Sequence, residues 1–465
     1  MSSDRQGSIP LVMAGERPSA QAAAHEAPYR VFILTSLVLA VGAGLVLATL
    51  VPLSVVLEWD WGRRYTPLAQ AHGQAQVLGW LGLFIMGMAY RLMPRFSGRP
   101  LAFPALVWAS WAALSTALVL RLIAQPAGAG VWQRSTLVCS GALGFIAAAA
   151  FALVIIATLA HRSSRAGATA YFFVLGALAY FAQAGMGLAL LALAAQRGED
   201  YVRPIEAAAL LHLQLYGFIA MFVLGVASRA VPTFSGLPRP EQQAKALALG
   251  LAAVVVVYVV AALWIATGTR NALLFRLEAA SFAGLGPLFV AAAWLVGIFR
   301  PAANRVRPAS RQHVWFIRTA FAWLLIAGGL SAYYGVRAAF DGVPLDYYGV
   351  DALRHTAGLG VASTMILGMG MLVLPEFAVR RMRHPSERAL PLFMLALLTA
   401  ATALRVGAAV ATPHWLSSDR YWPMAIGGGL AEAAIALFGA MFVWSMLQEQ
   451  ATVESLIPVS ALREA

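Results

Sequence analysis

The chain has 465 residues, 60% hydrophobic and 11% charged, with a mean hydropathy of +0.74 and a formal charge of +13. Soluble domains carry about 25% charged residues, so a water-soluble fold, which could not cover this much apolar surface, is excluded. The positive charge does not point to nucleic acid, because the basic residues, all Arg except Lys245, lie mostly in short stretches between apolar runs, the pattern of membrane topology.

Residues 1–29 are rich in Ala, Pro and Ser and hold no apolar core of a signal peptide; they read as a disordered cytoplasmic tail. Twelve apolar segments follow, at 31–57, 71–93, 102–124, 133–160, 168–195, 205–231, 244–267, 277–299, 314–340, 352–374, 388–411 and 423–447. Unbroken runs such as LGLAAVVVVYVVAALWIATG favour membrane helices over the short alternating strands of a barrel. The expected organisation is one twelve-helix transmembrane domain over 30–450 and a cytoplasmic tail over 451–465. Of the 33 basic residues, 21 fall in the tails and in the loops after even-numbered segments, and 12 on the opposite side. The positive-inside rule then places both termini in the cytoplasm. Cys139, the single cysteine, is expected to be a buried core residue.

Three segments share a frame, H-x4-G-x7-G-x6-P-x-F. In the sixth it runs through His212, Gly217, Gly225, Pro232 and Phe234; in the tenth through His355, Gly360, Gly368, Pro375 and Phe377. In the second it keeps Gly79, Gly87, Pro94 and Phe96, but Gln74 stands at the histidine position and the histidine is His72. The frame predicts four helices repeated three times, with equivalent helices facing a common interior. The glycines fall about 140° either side of the histidine on a helical wheel, so they suit close helix contact while the imidazole faces a cavity or ligand. His72, two residues off register, points to the opposite face from Gln74.

Eight histidines are present. His25, His161, His313, His384 and His414 read as tail or loop residues, whereas His72, His212 and His355 enter membrane helices, where ionisable groups are costly and usually functional. Two imidazoles on different helices can clamp a haem iron. His72 and His355 are the candidate pair, leaving His212 for a second metal or haem. Met88, Met221, Met365 and Met369 are candidate soft ligands for copper. Glu206, Glu376 and Glu432 are candidate proton carriers, and Arg121, Arg337 and Arg405 candidate partners for haem propionates, with snorkelling to the interface as the alternative. No catalytic triad, phosphate loop or paired carboxylates are visible, so nothing in the sequence demonstrates an enzyme.

Three groups of four helices with histidines on the second, sixth and tenth resemble subunit I of the haem-copper oxidases, as does the stretch HGQAQVLGW. That resemblance implies a low-spin haem between the second and tenth helices and a copper ligand on the sixth. The seventh segment lacks histidine and the tenth has one, which argues against an oxygen-reducing binuclear centre. AHGQAQVLG, LLHLQLYGFIAMFVLGVASR and LRHTAGLGVASTMILGMG also resemble the motifs of the NnrS family. This implies a bacterial inner-membrane protein with a b-type haem, with copper as a further cofactor, in nitric oxide response or resistance. His72, His212 and His355 are then the cofactor and metal residues. The alternatives are a bis-histidine electron-transfer subunit serving a redox partner, and a polytopic transporter.

Overall fold

Long runs of apolar side chains leave the backbone one way to satisfy its polar groups inside lipid, and that is helix. The computed structural model describes residues 20–61, 64–160, 166–235, 239–269, 271–300, 311–377, 389–412, 415 and 417–456. Among these, helices form twelve continuous rods. They are α1 (20–56), α2 (Tyr65–Ser97), α3 (Ala105–Ala127), α4 (Val131–Leu159), α5 (Ala170–Gln196), α6 (204–235), α7 (Glu241–Ala266), α8 (Ala272–Val296), α9 (Arg311–Asp341), α10 (347–377), α11 (Ala389–Ala411) and α12 (Tyr421–Leu456). Eleven are long and apolar enough to cross a membrane, and α10, which carries His355, completes the twelve. The chain is a multi-pass, all-α membrane protein. The proposed tails, 1–29 and 451–465, fall largely on residues outside the described set.

The ends have local causes. Asp346 accepts a hydrogen bond from the Gly349 amide and so caps α10, and Asn271 caps α8 through Leu273. Pro204 opens α6, where its missing N–H costs nothing. At the other end of α2, Gly98 adopts φ +69° and donates its amide N–H to the Pro94 carbonyl, a left-handed helix stop.

The rods are arranged as three arcs about three central helices. Sequential neighbours pack side by side along α3–α4–α5, α7–α8–α9 and α11–α12–α1, and α2, α6 and α10 lie against α1, α5 and α9. In α2 and α6 about four-fifths of the membrane-spanning residues are buried (78% and 83%), against 33–50% for the other candidate spans. The three central helices touch one another, through Gln74 Nε2 to Gln214 Oε1 (3.3 Å) and Trp80 Nε1 to Ser363 Oγ (2.9 Å).

Two repeated devices place them. One is the second glycine of the frame. Gly87, Gly225 and Gly368 each face the Cβ of a fully buried phenylalanine, Phe32 on α1, Phe172 on α5 and Phe316 on α9. The other was not legible in the frame: each central helix contains a π-helical stretch, at Ala75–Gly82, Leu213–Ile219 and Thr356–Ser363. Such stretches are rare and recur at functional sites. Here each follows the histidine of its helix within three residues.

The π turns correct the helical wheel. Gly217 lies beyond the π start, and it leans on Ala179 of α5 and Val255 of α7. His212 stacks on Tyr258, also on α7. The glycine and the imidazole therefore share a neighbour, because the wider π turn breaks the 100° step. Two smaller expectations also change. Cys139 is exposed on α4, and His313 is a buried residue in the first turn of α9 rather than a loop residue. His161, His384 and His414 lie outside the described residues, as does the side chain of His25.

Gly225→Ala would place a methyl 2.8 Å from Phe172 Cβ, and Gly87→Ala one 2.7 Å from Phe32 Cβ. Each is expected to cost about 1–3 kcal/mol, read as a lowered thermal midpoint of the purified protein. Gly144→Ala on α4, where an added Cβ meets nothing within 4 Å, is expected to leave the midpoint unchanged or slightly raised.

Candidate functional site

All three helix-borne histidines lie about two turns inside the ends at which α2, α6 and α10 begin, hereafter the histidine end. Helix α2 starts six residues earlier than its apolar run suggested, so His72 is well inside the helix rather than at its mouth.

His72 donates Nδ1–H to the carbonyl of Gly44 on α1, at 2.7 Å. His355 places Nδ1 2.9 Å from the carbonyl of Asp351 and 3.3 Å from its carboxylate. Asp351 is held in turn by Arg405 of α11, Nη2 to Oδ2 at 2.8 Å. A carbonyl can only accept, so each imidazole carries its proton on Nδ1 and presents an unprotonated Nε2, the tautomer that ligates metals. Neither Nε2 has a hydrogen-bond partner among the described residues. The two side chains are near enough to interact electrostatically, and Asp351 and Arg405 reach His72 as well. Threefold closure thus places His72 and His355 in one electrostatic neighbourhood.

The surroundings carry further unsatisfied groups. Gln76 Nε2, one turn along α2 from His72, and Arg405 Nη1 are buried with no hydrogen-bond partner. Buried orphans of this kind are uncommon and call for an explanation. Next to His72, a Cβ on Gly73 would meet nothing within 4 Å, and a Cβ on Gly358, three residues beyond His355, would meet only Leu81 Cδ1 at 3.9 Å. Two oriented imidazoles, open backbone beside them, and polar N–H groups without acceptors fit a flat metal-centred group with anionic edges.

His212 is in a different setting. It is 4% exposed, lies parallel to Tyr258 at 3.6 Å, and is flanked by Tyr216 at 4.6 Å and Phe282 at 6.4 Å. Its Nε2 and the hydroxyl of Tyr216 are buried without partners. Among the described residues no three His, Cys, Asp or Glu side chains gather as a metal site. An apolar cavity of about 20 Å³ lies nearby, lined by Tyr216, Phe289, Leu324, Ala357 and Val361 among others. It has room for a water or a diatomic molecule and none for a second haem.

The other candidates are placed as follows. Met221 and Met365 are buried in the core, with Met88 and Met369 packed against it. Glu206 is ion-paired with Arg197 at 2.7 Å. Arg337 is exposed, Arg405 is engaged by Asp351, and Arg121 is buried. The side chain of Glu376 lies outside the described residues. Gln74, where the frame expects a histidine, joins a buried amide chain, Gln74 to Gln214 to Gln183 at 3.3 and 2.8 Å. It points to α6 while His72 points to α1, as the 200° between them requires. Asp351 and Gln76 went unrecognised in the sequence; the only signal for Asp351 was its position one turn before His355.

Three arcs of helices about a histidine-bearing centre define a class of multi-pass membrane protein by its fold. The chain belongs to the family of cytochrome c and quinol oxidase polypeptide I, which matches over residues 27–412. Among 45 solved chains of similar fold is a haem-copper terminal oxidase determined as a dimer by cryo-electron microscopy. It is 12% identical, with a TM-score of 0.63 over 93% of this chain and 84% of that one. Comparison with curated proteins finds no match.

Removing the Asp351 carboxylate leaves the half-buried Arg405 without its counter-ion. Asp351→Asn is expected to lower stability by on the order of 3 kcal/mol. The double change Asp351→Leu with Arg405→Leu is expected to recover most of that loss. Chemical denaturation of the two single variants and the double variant measures the coupling.

Proposed function

We propose that this protein is a haem-carrying subunit of a bacterial inner membrane, with one haem held between His72 and His355, and that it passes electrons rather than reducing oxygen. The observation that carries the reading is the matched anchoring of the two histidines. Each is fixed through Nδ1, each keeps an Nε2 unpartnered among the described residues, and the backbone at neighbouring Gly73 and Gly358 is open. A haem ligated by two histidines supplies a reversible one-electron couple. The chain's own contribution is to fix both imidazoles before ligation, to direct Arg405 and Gln76 at the anionic edges, and to keep lipid and water from the site. A haem held by both histidines would have no ligand site free for a gas, which favours electron transfer to a partner protein. The basic loops argue that the histidine end faces away from the cytoplasm.

A second reading, nitric oxide response of the NnrS kind, draws on the cavity beside Tyr216, which has the size and apolar lining for a diatomic molecule. His212, with its unpartnered Nε2, would be the residue at which such a ligand or a copper ion is held. The reading as a transporter finds no comparable support.

Optical spectra of the purified protein, oxidised and reduced, test the proposal. A b-type spectrum of bis-histidine character is expected, lost in His72→Ala and in His355→Ala and kept in His212→Ala. Spectra unchanged in both of the first two variants would remove the pair from the site. Adding nitric oxide to the reduced protein separates the readings: no spectral change is expected for electron transfer, and a change that disappears in His212→Ala would favour the second.

A further inference from the structure

Helix α3 carries a charge that nothing in the proposed haem site uses. Its inward stripe runs through Leu114, Ala117, Leu118, Arg121, Ala124 and Gln125, and Arg121 is only 8% exposed. A long cationic side chain near a helix end normally snorkels to the interface; this one lies inside the bundle. Arg121 Nε donates to Gln125 Oε1 at 3.1 Å, and Gln125 Nε2 donates to Gln70 Oε1 on α2 at 3.4 Å. Gln70 is fixed on both sides by the backbone of Val202, accepting from its amide at 3.0 Å and donating to its carbonyl at 2.5 Å. The two terminal nitrogens of the guanidinium have no protein partner among the described residues.

Among the described residues no carboxylate compensates this charge. At the same end of the bundle Glu206 is taken by Arg197, Glu199 by Arg203 and Asp351 by Arg405, while Asp200 interacts with Arg134. An uncompensated cation inside a membrane protein is expensive. The glutamines hold Nε and so aim the remaining fork of N–H groups, whose geometry matches the paired oxygens of a carboxylate or phosphate. The site is separate from the histidine pair. Gln70 and His72 are two residues apart on α2 and point to opposite faces, one to α3 and the other to α1.

We propose that Arg121, positioned by Gln125 and Gln70 between α2 and α3, binds a single anionic oxygen-acid group at the histidine end. A phosphate offers the required charge and paired oxygens, from an acidic phospholipid headgroup or from solution. The loop at Val202 fastens α2 beside the site and fixes its depth.

The test uses the full-length protein in nanodiscs of phosphatidylcholine alone, or of phosphatidylcholine and phosphatidylglycerol in equal parts, with and without inorganic phosphate. Thermal midpoint and retained lipid by native mass spectrometry are the readouts. Wild type is expected to gain stability from phosphatidylglycerol or phosphate. Arg121→Gln is expected to lose that gain, its apparent affinity falling at least about tenfold, as for loss of a charge-assisted hydrogen bond, with a midpoint in phosphatidylcholine no lower than wild type. Gln125→Glu supplies an internal carboxylate and is expected to remove the anion response while keeping the fold; it decides the matter if Arg121→Gln does not fold. Arg337→Gln, a change at an exposed arginine, is expected to keep the full response. A response to phosphatidylglycerol alone identifies a lipid headgroup, and one to phosphate in neutral lipid a soluble anion. A wild type indifferent to both, or a response undiminished in Arg121→Gln or Gln125→Glu, overturns the proposal.

Discussion

Three helices can line a shared interior only if the helices around them come close, and in this chain closeness is set by missing side chains. Gly87, Gly225 and Gly368 accept the Cβ of Phe32, Phe172 and Phe316 where any larger residue would collide. Lipid offers no hydrophobic penalty for separated helices, so shape complementarity of this kind has to do what burial does in water. These three contacts fix α2, α6 and α10 against α1, α5 and α9. The hydrogen bonds between central helices, from Gln74 to Gln214 and from Trp80 to Ser363, depend on that placement.

The three histidines show how one repeated frame yields different chemistry. His212 and His355 occupy the same register of the repeat, yet one is stacked among aromatic rings and the other is tethered to Asp351. The off-register histidine of the first copy is the one that interacts electrostatically with His355. Gln74 has taken the inward direction that the frame assigns to a histidine and uses it for an amide chain. Sequence equivalence therefore located the helices that matter, while the side chains at the end of each helix decided what each could hold.

Much of the fold was legible because its signals are local or repeated. Apolar runs gave twelve helices, and the glycine frame gave the threefold order. What escaped is non-local or departs from α-helical phase. Nothing in Ala75–Gly82, Leu213–Ile219 or Thr356–Ser363 announces a π turn, so faces beyond those points were assigned on the wrong wheel. The support given by Gly44 and Arg405 comes from helices distant in sequence, and the inward aim of Arg121 could not be separated from snorkelling without its neighbours.

The π stretches have a consequence for how such a chain can vary. Each divides a central helix into two lengths whose angular settings are independent. The part bearing the histidine sets where the imidazole lies, and the part bearing the second glycine looks toward its phenylalanine. Losing one residue from Leu213–Ile219 would swing one length relative to the other by about a quarter turn, whereas exchanging residues within either length leaves the other's heading intact. Point substitution and single-residue deletion therefore explore different territory here: the first adjusts a ligand, the second re-aims it.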